Sequence, residues 1–501
     1  MLPGKSFFGS GKNLPILENI MKPFVVCGLG FGDEGKGTIT DFLARRHQLK
    51  LNVRYNGGAQ AGHNVVTSDG RWHCFAQFGA ATFNPGVETF LSKEMVIEPS
   101  NLLAENEVLI TKGVGDALQR LIVDEEATLI APFQKMIGRM REVARGKNRF
   151  GSCGVGVGEA VRDRDRGLGI VVRDIKEGTW TGKMAAIYEA RSEEAKKLLK
   201  DHPSAELEEI YNYFNDRSVL NRFWEFCRQL FRGDSDVRVV SAGGGSASGG
   251  KGADVLRDLI SNQHPMIFEG AQGALLDSEQ GFAPYVTKTR TTQVNAVRMI
   301  GADQEIQRIG VMRAYGHRHG AGPFVTETEF MWNALHDTHN TENRWQGSFR
   351  TGWLDLVAIR YGLKINGKVD QLAVTNLDRL SGVREEKVIC ANYKYSGDLK
   401  ELDHCAVWEK LDKDCAKILE LKIPSKEFVA SGRFARMLER CRPLTYERFG
   451  GWRDDISSAK KVSDLPWQAR EYLNFIESSL EVPIGIVSVS PTAEGKIVVR
   501  E

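Results

Sequence analysis

The 501-residue chain has no apolar run approaching the roughly 18 residues that a membrane-spanning helix needs. It also has almost no net charge: 67 basic residues stand against 65 acidic ones, a formal balance of +2. That balance excludes a global attraction to nucleic acid or to an anionic membrane, so any recognition of phosphate has to be local. The eight cysteines include no CxxC pair and no zinc-ligand spacing, which points to a reduced, cytoplasmic protein. The first twenty residues lack the continuous apolar core of a signal peptide. Met21 directly precedes the first strand-like run, so residues 1–22 read as an N-terminal extension or as sequence upstream of the true start.

What is present is ordinary globular composition, 42% hydrophobic and 26% charged, on a chain long enough for a large core. Phe24–Leu29 is a short apolar run that reads as a buried strand, followed by glycines and then by helical character over Ile39–Arg46. The strand-then-polar-loop pattern recurs at Asn52–Tyr55, Pro265–Phe268, Gln371–Thr375 and Gly485–Ser490. Strands ending in such loops and separated by helices predict an α/β fold with a large, mostly parallel central sheet, ligands collecting at the strands' C-terminal ends. Residues 23–501 are expected to form one α/β domain, with a helical insertion at about 185–235 and a Gly/Ser-rich loop at 242–252. Within the insertion, Leu198, Leu199, Tyr211, Phe214, Leu220, Phe223, Phe226 and Leu230 recur at roughly helical spacing and are expected to face the core, with a break at Pro203.

Three loops bear on chemistry. Gly30 to Thr38 reads Gly-Phe-Gly-Asp-Glu-Gly-Lys-Gly-Thr, close to a phosphate-binding loop of the P-loop NTPase kind, in which amides and a lysine surround phosphate oxygens at a helix start. It departs by carrying Gly37 where a metal-binding Ser or Thr is usual, and by holding Asp33 and Glu34 inside the loop. A carboxylate beside phosphate is repulsive unless it binds Mg²⁺ or accepts a proton. Gly245–Gly252 fits the same spacing, but its low complexity makes a flexible linker the stronger reading. The loop Asn56–Asn64 carries His63 among glycines. By spacing alone this histidine is either a general acid or electrophile, or structural.

Taken together, Gly32-Asp33-Glu34-Gly35-Lys36-Gly37 and Gly57-Gly58-Ala59-Gln60-Ala61-Gly62-His63 resemble the adenylosuccinate synthetase family. The resemblance continues through Phe268–Asp277, Pro284–Thr287, Gly322–Glu327, Thr351–Asp355, Thr375–Asp378 and Val482–Ile484, in the family's order. It implies a GTP- and Mg²⁺-dependent ligase, a homodimer, that phosphorylates the 6-oxygen of IMP or a related purine monophosphate and then adds an amine. By similarity, Asp33 takes the purine N1 proton and binds Mg²⁺ with the Gly62 carbonyl, while His63 and Lys36 serve the moving phosphoryl group and Gln272 contacts the purine. GTP would be held by Gly32, Glu34, Gly35, Gly37, Thr38, Gly62, Asn64, Asn376, Asp378, Ser488 and Ser490, with Asp378 reading the guanine edge. The purine monophosphate would meet Gln60, Ser152, Cys153, Thr287, Lys288 and an Arg166 reaching across from a second subunit.

Departures from the family pattern cluster at one end. The amino-acid loop of the family reads Thr-Thr-Gly-Arg-x-Arg-Arg, whereas this chain has Gly347, Ser348, Phe349 and Arg350 ahead of Thr351-Gly352-Trp353. A dicarboxylate wants two cationic, preferably bidentate partners, so the amine donor stays open between aspartate and another amino acid. A variant using (d)GMP to make a 2-aminoadenine precursor is one alternative, and a nucleotide sensor that does not ligate is another.

Overall fold

The computed structural model describes residues 22–233, 235–240, 253–262, 264–301, 304–335, 344–383 and 386–500. The N-terminal extension (apart from Lys22) and the Gly/Ser-rich loop with its phosphate-loop-like spacing lie outside the described residues. A ten-stranded sheet forms the centre. Its strands, in chain order, are β1 (Phe24–Gly28), β2 (Leu51–Arg54), β3 (Glu88–Leu91), β4 (Leu121–Asp124) and β5 (Arg238–Val240). They continue with β6 (Met266–Gly273), β7 (Gln307–Arg313), β8 (Gln371–Thr375), β9 (Ile484–Ser488) and β10 (Lys496–Val498). The spatial order is β5-β4-β3-β2-β6-β1-β7-β8-β9-β10, and every pairing is parallel except the last. The expected α/β architecture is thus observed.

Strands β1, β2 and β4 are buried along their whole length, as expected of a parallel sheet covered on both faces. The core lies on either side of it: Phe24, Val26, Ile39, Leu43 and Ile267 pack on one face, Val25, Val53, Phe90 and Phe268 on the other. Because β1 sits between β6 and β7, the loop leaving β1 emerges at the sheet's centre, beside the ends of both neighbours.

The helical segment expected near 185–235 is three helices, Trp180–Asp201, Ala205–Phe214 and Ser218–Phe231. The first break falls at Pro203, as the sequence predicts. The second, before Ser218, is a turn stabilised by Asp216, whose carboxylate accepts from the Ser218 amide at 2.8 Å. That turn resets the helical phase, so the last helix buries Val219, Phe223, Cys227, Leu230 and Phe231, and Phe226 is only half-buried. A five-stranded unit, mostly antiparallel, is built from Leu354–Asp355, Lys387–Ser396, Ala406–Lys410, Cys415–Leu421 and Cys441–Phe449. It packs against helix Leu356–Asn366, and no helix of the described residues is long and apolar enough to cross a membrane. All eight cysteines are unpaired.

Candidate active site

The loop after β1 turns back on itself through left-handed backbone at Gly32, Asp33 and Gly35, the last capping helix α1 (Lys36–Arg46). Such a bend costs a glycine nothing, whereas Asp33 at φ 59° is held there by neighbours. Arg313 donates to the Asp33 carbonyl at 2.7 Å, and His317 bonds the Gly32 carbonyl. Burial, followed by the charge of Arg313, pushes His317 down to about 4, so the ring is neutral at pH 7 and its Nε2–H donates to that carbonyl.

Glu34 belongs to the loop rather than to a ligand. It is fully buried, and one carboxylate oxygen accepts from the amides of Gly30 (3.0 Å) and Gly32 (2.8 Å). The other accepts from Lys36 Nζ at 2.6 Å. The Glu34 carboxylate fills the hollow of the loop and braces it from within, so any contact of this residue with GTP falls to its backbone. Burial opposes its charge, but the Lys36 ammonium, helped by the Gly32 amide, keeps its carboxyl below the usual range. Asp33 points the other way and lines the cleft.

Opposite the loop, the hairpin formed by His63–Val66 and Trp72–Phe75 carries His63. Its Nδ1 lies 2.5 Å from Oε1 of Glu269 on β6. The other Glu269 oxygen accepts from the Ala80 amide at 3.0 Å, and Arg54 stands 3.9 Å away. Burial disfavours the Glu269 charge, yet Arg54 and His63 hold its carboxyl down to about 2. The carboxylate thus fixes the imidazole, leaving His63 Nε2 buried with no protein partner. Gly37 is required here, because a Cβ at that position would lie 2.8 Å from the His63 side chain.

These groups share one cavity of about 550 Å³, whose walls include Asp33, Lys36, Gln60, Gly62, His63, Ser152, Cys153, Gln272, Thr287 and Lys288. Gln272 adopts left-handed backbone at φ 57°, and its Oε1, like that of Gln60, is buried and unpartnered. With Gly32, which also lines it, the cavity brings together eleven residues that the sequence singles out. It also adds Arg145, Arg162, Arg318 and His319 to the walls, none of which stands in a motif the resemblance supplies. A signal existed for His319, which sits with His317 and Arg318 just before Gly322–Glu327. Arg166 does not reach this cavity: it is exposed on the turn after helix Val157–Arg164.

The remaining positions lie at two other places. Asn376, Asp378, Ser488 and Ser490 gather at the ends of β8 and β9, where the Leu377 amide donates to the Ser488 carbonyl at 3.2 Å. Thr38 ties this corner to the phosphate loop through a 2.9 Å bond to the Pro491 carbonyl. Asn64 lies on the hairpin strand beside His63, with its Oδ1 buried and unpartnered.

The loop of Gly347–Arg350 is packed, not open. Phe349 is 1% exposed, stacks on His317, meets His319 edge-on and lies under the Arg313 guanidinium. Arg350 forms a two-pronged ion pair with Glu327 and donates to the carbonyls of Gly320 (3.0 Å) and Gly322 (2.9 Å). Gly347 offers its carbonyl to His319 at 3.1 Å, and Ser348 is exposed. Neither Phe349 nor Arg350 faces the cavity as a carboxylate clamp.

A parallel sheet with a lysine-bearing phosphate loop, a histidine braced by a buried carboxylate and a polar cavity between them defines a nucleotide-dependent phosphoryl-transfer enzyme. Residues 25–237 and 250–497 match the family model for adenylosuccinate synthetase. Relatives with that name include one from Clostridium botulinum (strain Alaska E43), 31% identical over 487 residues that cover 95% of this chain and 99% of the relative. Another, from Pelotomaculum thermopropionicum, is 31% identical over 490 residues, covering 96% of this chain and all of the relative. The fold is also that of the fully ligated adenylosuccinate synthetase of Plasmodium falciparum (TM-score 0.71, 24% identity, 96% of this chain and 100% of that one). The cyanophage S-2L succinoaminodeoxyadenylate synthetase bound to dGMP and dATP is a more distant fold match (TM-score 0.52, 15% identity, 96% of each chain). The chain belongs to the adenylosuccinate synthetase family and is a GTP-dependent ligase of that kind.

Proposed function

We propose that this enzyme uses GTP to phosphorylate the 6-oxygen of a purine 5′-monophosphate, IMP in the first instance, and that an amino acid's amine then displaces the phosphate. The observation that carries the reading is the convergence of Asp33, Lys36, His63 and Gln272 on one cavity, with His63 Nε2 and Gln272 Oε1 buried and unpartnered there. In the first step the N1 proton passes to Asp33 while the 6-oxygen attacks the γ-phosphorus and GDP leaves. His63 and Lys36 stabilise charge on the transferring oxygens, as a loose phosphoryl transition state requires. In the second step the amine adds at C6 and phosphate departs. Gln60, Ser152, Thr287 and Lys288 hold the monophosphate.

Mg²⁺ fits the donor set. Asp33 is an oxygen donor facing the cavity, and Gly62, whose carbonyl is the second expected donor, lines the same cavity. The described residues contain no cluster of three or more protein metal ligands. One carboxylate completed by substrate phosphates is how Mg²⁺ is usually held, and the ion would supply charge neutralisation on the phosphates.

The donor is read as an amino acid whose side chain is not gripped by Arg350, since that guanidinium is spent on Glu327 and two carbonyls. In the same reading the enzyme is a homodimer in which Arg166, exposed on its own subunit, serves the partner's cavity. The test is GDP release and nucleotide mass in mixtures of Mg²⁺ and GTP with IMP, GMP or dGMP and a panel of amino acids. IMP is expected to support turnover, with several amino acids accepted. Turnover with dGMP or GMP but not IMP would assign the purine differently. Strict dependence on aspartate would defeat the Arg350 argument, and no GDP under any condition would defeat the proposal.

A further inference from the structure

Strand β10 opens with a lysine that the motifs do not account for. Lys496 pairs across the antiparallel ladder with Ser488, is 7% exposed, and donates to the Ser490 carbonyl at 2.8 Å and the Thr492 carbonyl at 2.5 Å. Those two carbonyls are the acceptors that the described residues supply to its three N–H groups. The turn it grips is tied down on every side. Ser488 Oγ donates to the Ser490 carbonyl at 3.1 Å, the Val489 amide to the Gly495 carbonyl at 2.9 Å, and Thr38 to Pro491. A Cβ on Gly495 would lie 2.3 Å from the Ser490 hydroxyl, so the turn closes this tightly only over a glycine.

A buried ammonium needs a reason, because desolvating it is costly. Burial pushes Lys496 down to about 7, against the pull of Asp378, Asp41 and Glu494. Asp378 is half-buried and pushed upward by desolvation, with Lys496 among the charges that lower it. No salt bridge joins the two. Ser488 joins the two at one corner: it pairs with Lys496 across the ladder, and its carbonyl accepts from the amide of Leu377, the residue before Asp378, at 3.2 Å.

We propose that Lys496 is a base-recognition residue for the nucleoside triphosphate, presenting its third N–H beside the Asp378 carboxylate. A purine edge that carries a carbonyl acceptor next to an N–H donor satisfies both; guanine has that edge and adenine has the reverse. The inference rests on the reading of Asp378 as the group that meets the base. It also gives the two strand ends a division of labour: Asp378 takes the ring N–H and amino protons, and Lys496 serves the 6-oxygen.

The test is KM for GTP, ATP and the purine monophosphate in the full-length wild type and in K496M, K496R and D378A. Losing one hydrogen bond from a charged donor should raise the GTP KM of K496M about tenfold or more. The ATP and monophosphate values should hold, and K496R should recover part of the loss. An equal rise for GTP and ATP would make Lys496 a prop of the turn and overturn the inference. If D378A raises the GTP KM and K496M does not, Lys496 alone is misassigned; if D378A has no effect in an active enzyme, the base reading itself fails. Should K496M not fold, the wild type alone decides with 6-thio-GTP, whose sulfur is a weak acceptor: a raised KM supports the contact, and an unchanged KM removes it.

Discussion

Two adjacent carboxylates in the phosphate loop have opposite fates, and solvent access decides which is which. Asp33 faces the cavity, while Glu34 is sealed behind Gly28 and Gly273, where added Cβ atoms would lie 2.5 and 2.3 Å from its oxygens. Asp33→Asn keeps the shape and removes the proton acceptor, so kcat should fall by about 10²-fold or more. Melting temperature should stay near wild type; a fully active D33N would remove the proposed base. Glu34→Ala should do the reverse, because it strands the buried Lys36 ammonium and two loop amides. Removing one partner of a buried pair costs about 3–5 kcal/mol, so thermal or denaturant unfolding should register a large loss even without substrate. An E34A protein of wild-type stability would show that the brace is dispensable.

At the scale of single elements, helix Leu356–Asn366 begins on Asp355, whose carboxylate caps the Ala358 amide at 3.0 Å and accepts from the Tyr393 hydroxyl at 2.6 Å. Burial raises this carboxyl to about 6, more than its hydrogen bonds lower it. The folded state therefore binds the proton more tightly than the unfolded chain. Its contribution to stability is full below about pH 4, the ordinary carboxylate value, and is lost as pH rises through about 6. Unfolding free energy measured from pH 4 to 7 should carry this decline in the wild type and lose it in D355N. An identical slope in both proteins would exclude Asp355 as the source. The helix boundaries show what local sequence conveys. Gln371–Thr375 is a strand in the structure over the span its apolar run predicts, and helix α1 starts three residues before the expected Ile39 because Gly35 caps it in left-handed backbone. The break before Ser218 was not legible, since a capping Asp216 looks like any exposed acid.

On the scale of the whole molecule, the cavity is closed by segments far apart in the chain, and one arginine that the reading requires lies outside it. Arg162 lines the cavity of its own subunit, while Arg166 does not. R162A should raise the KM for the purine monophosphate in every assembly state. R166A should weaken activity only through the partner's site, so mixing R166A with D33N should raise turnover above that of either variant alone as mixed dimers form. Size measurement gives the companion readout: a strictly monomeric active enzyme, or no recovery on mixing, would rule out the crossed arginine.

The glycine-rich loops, the order of the motifs and the apolar strands determined by themselves that this is a parallel-sheet nucleotide ligase of the adenylosuccinate synthetase family. Those features are local, because a tight turn and a buried strand each impose their own residue types over a few positions. Which carboxylate faces the cavity, that Glu269 holds His63, that Arg350 is spent on Glu327 and that Lys496 pairs with Ser488 at the strand ends that carry Asp378 were decided only by the tertiary structure. Each depends on burial and on partners brought from distant strands, and a side chain's charge, tautomer and free hydrogen bonds follow from those surroundings rather than from its place in the chain.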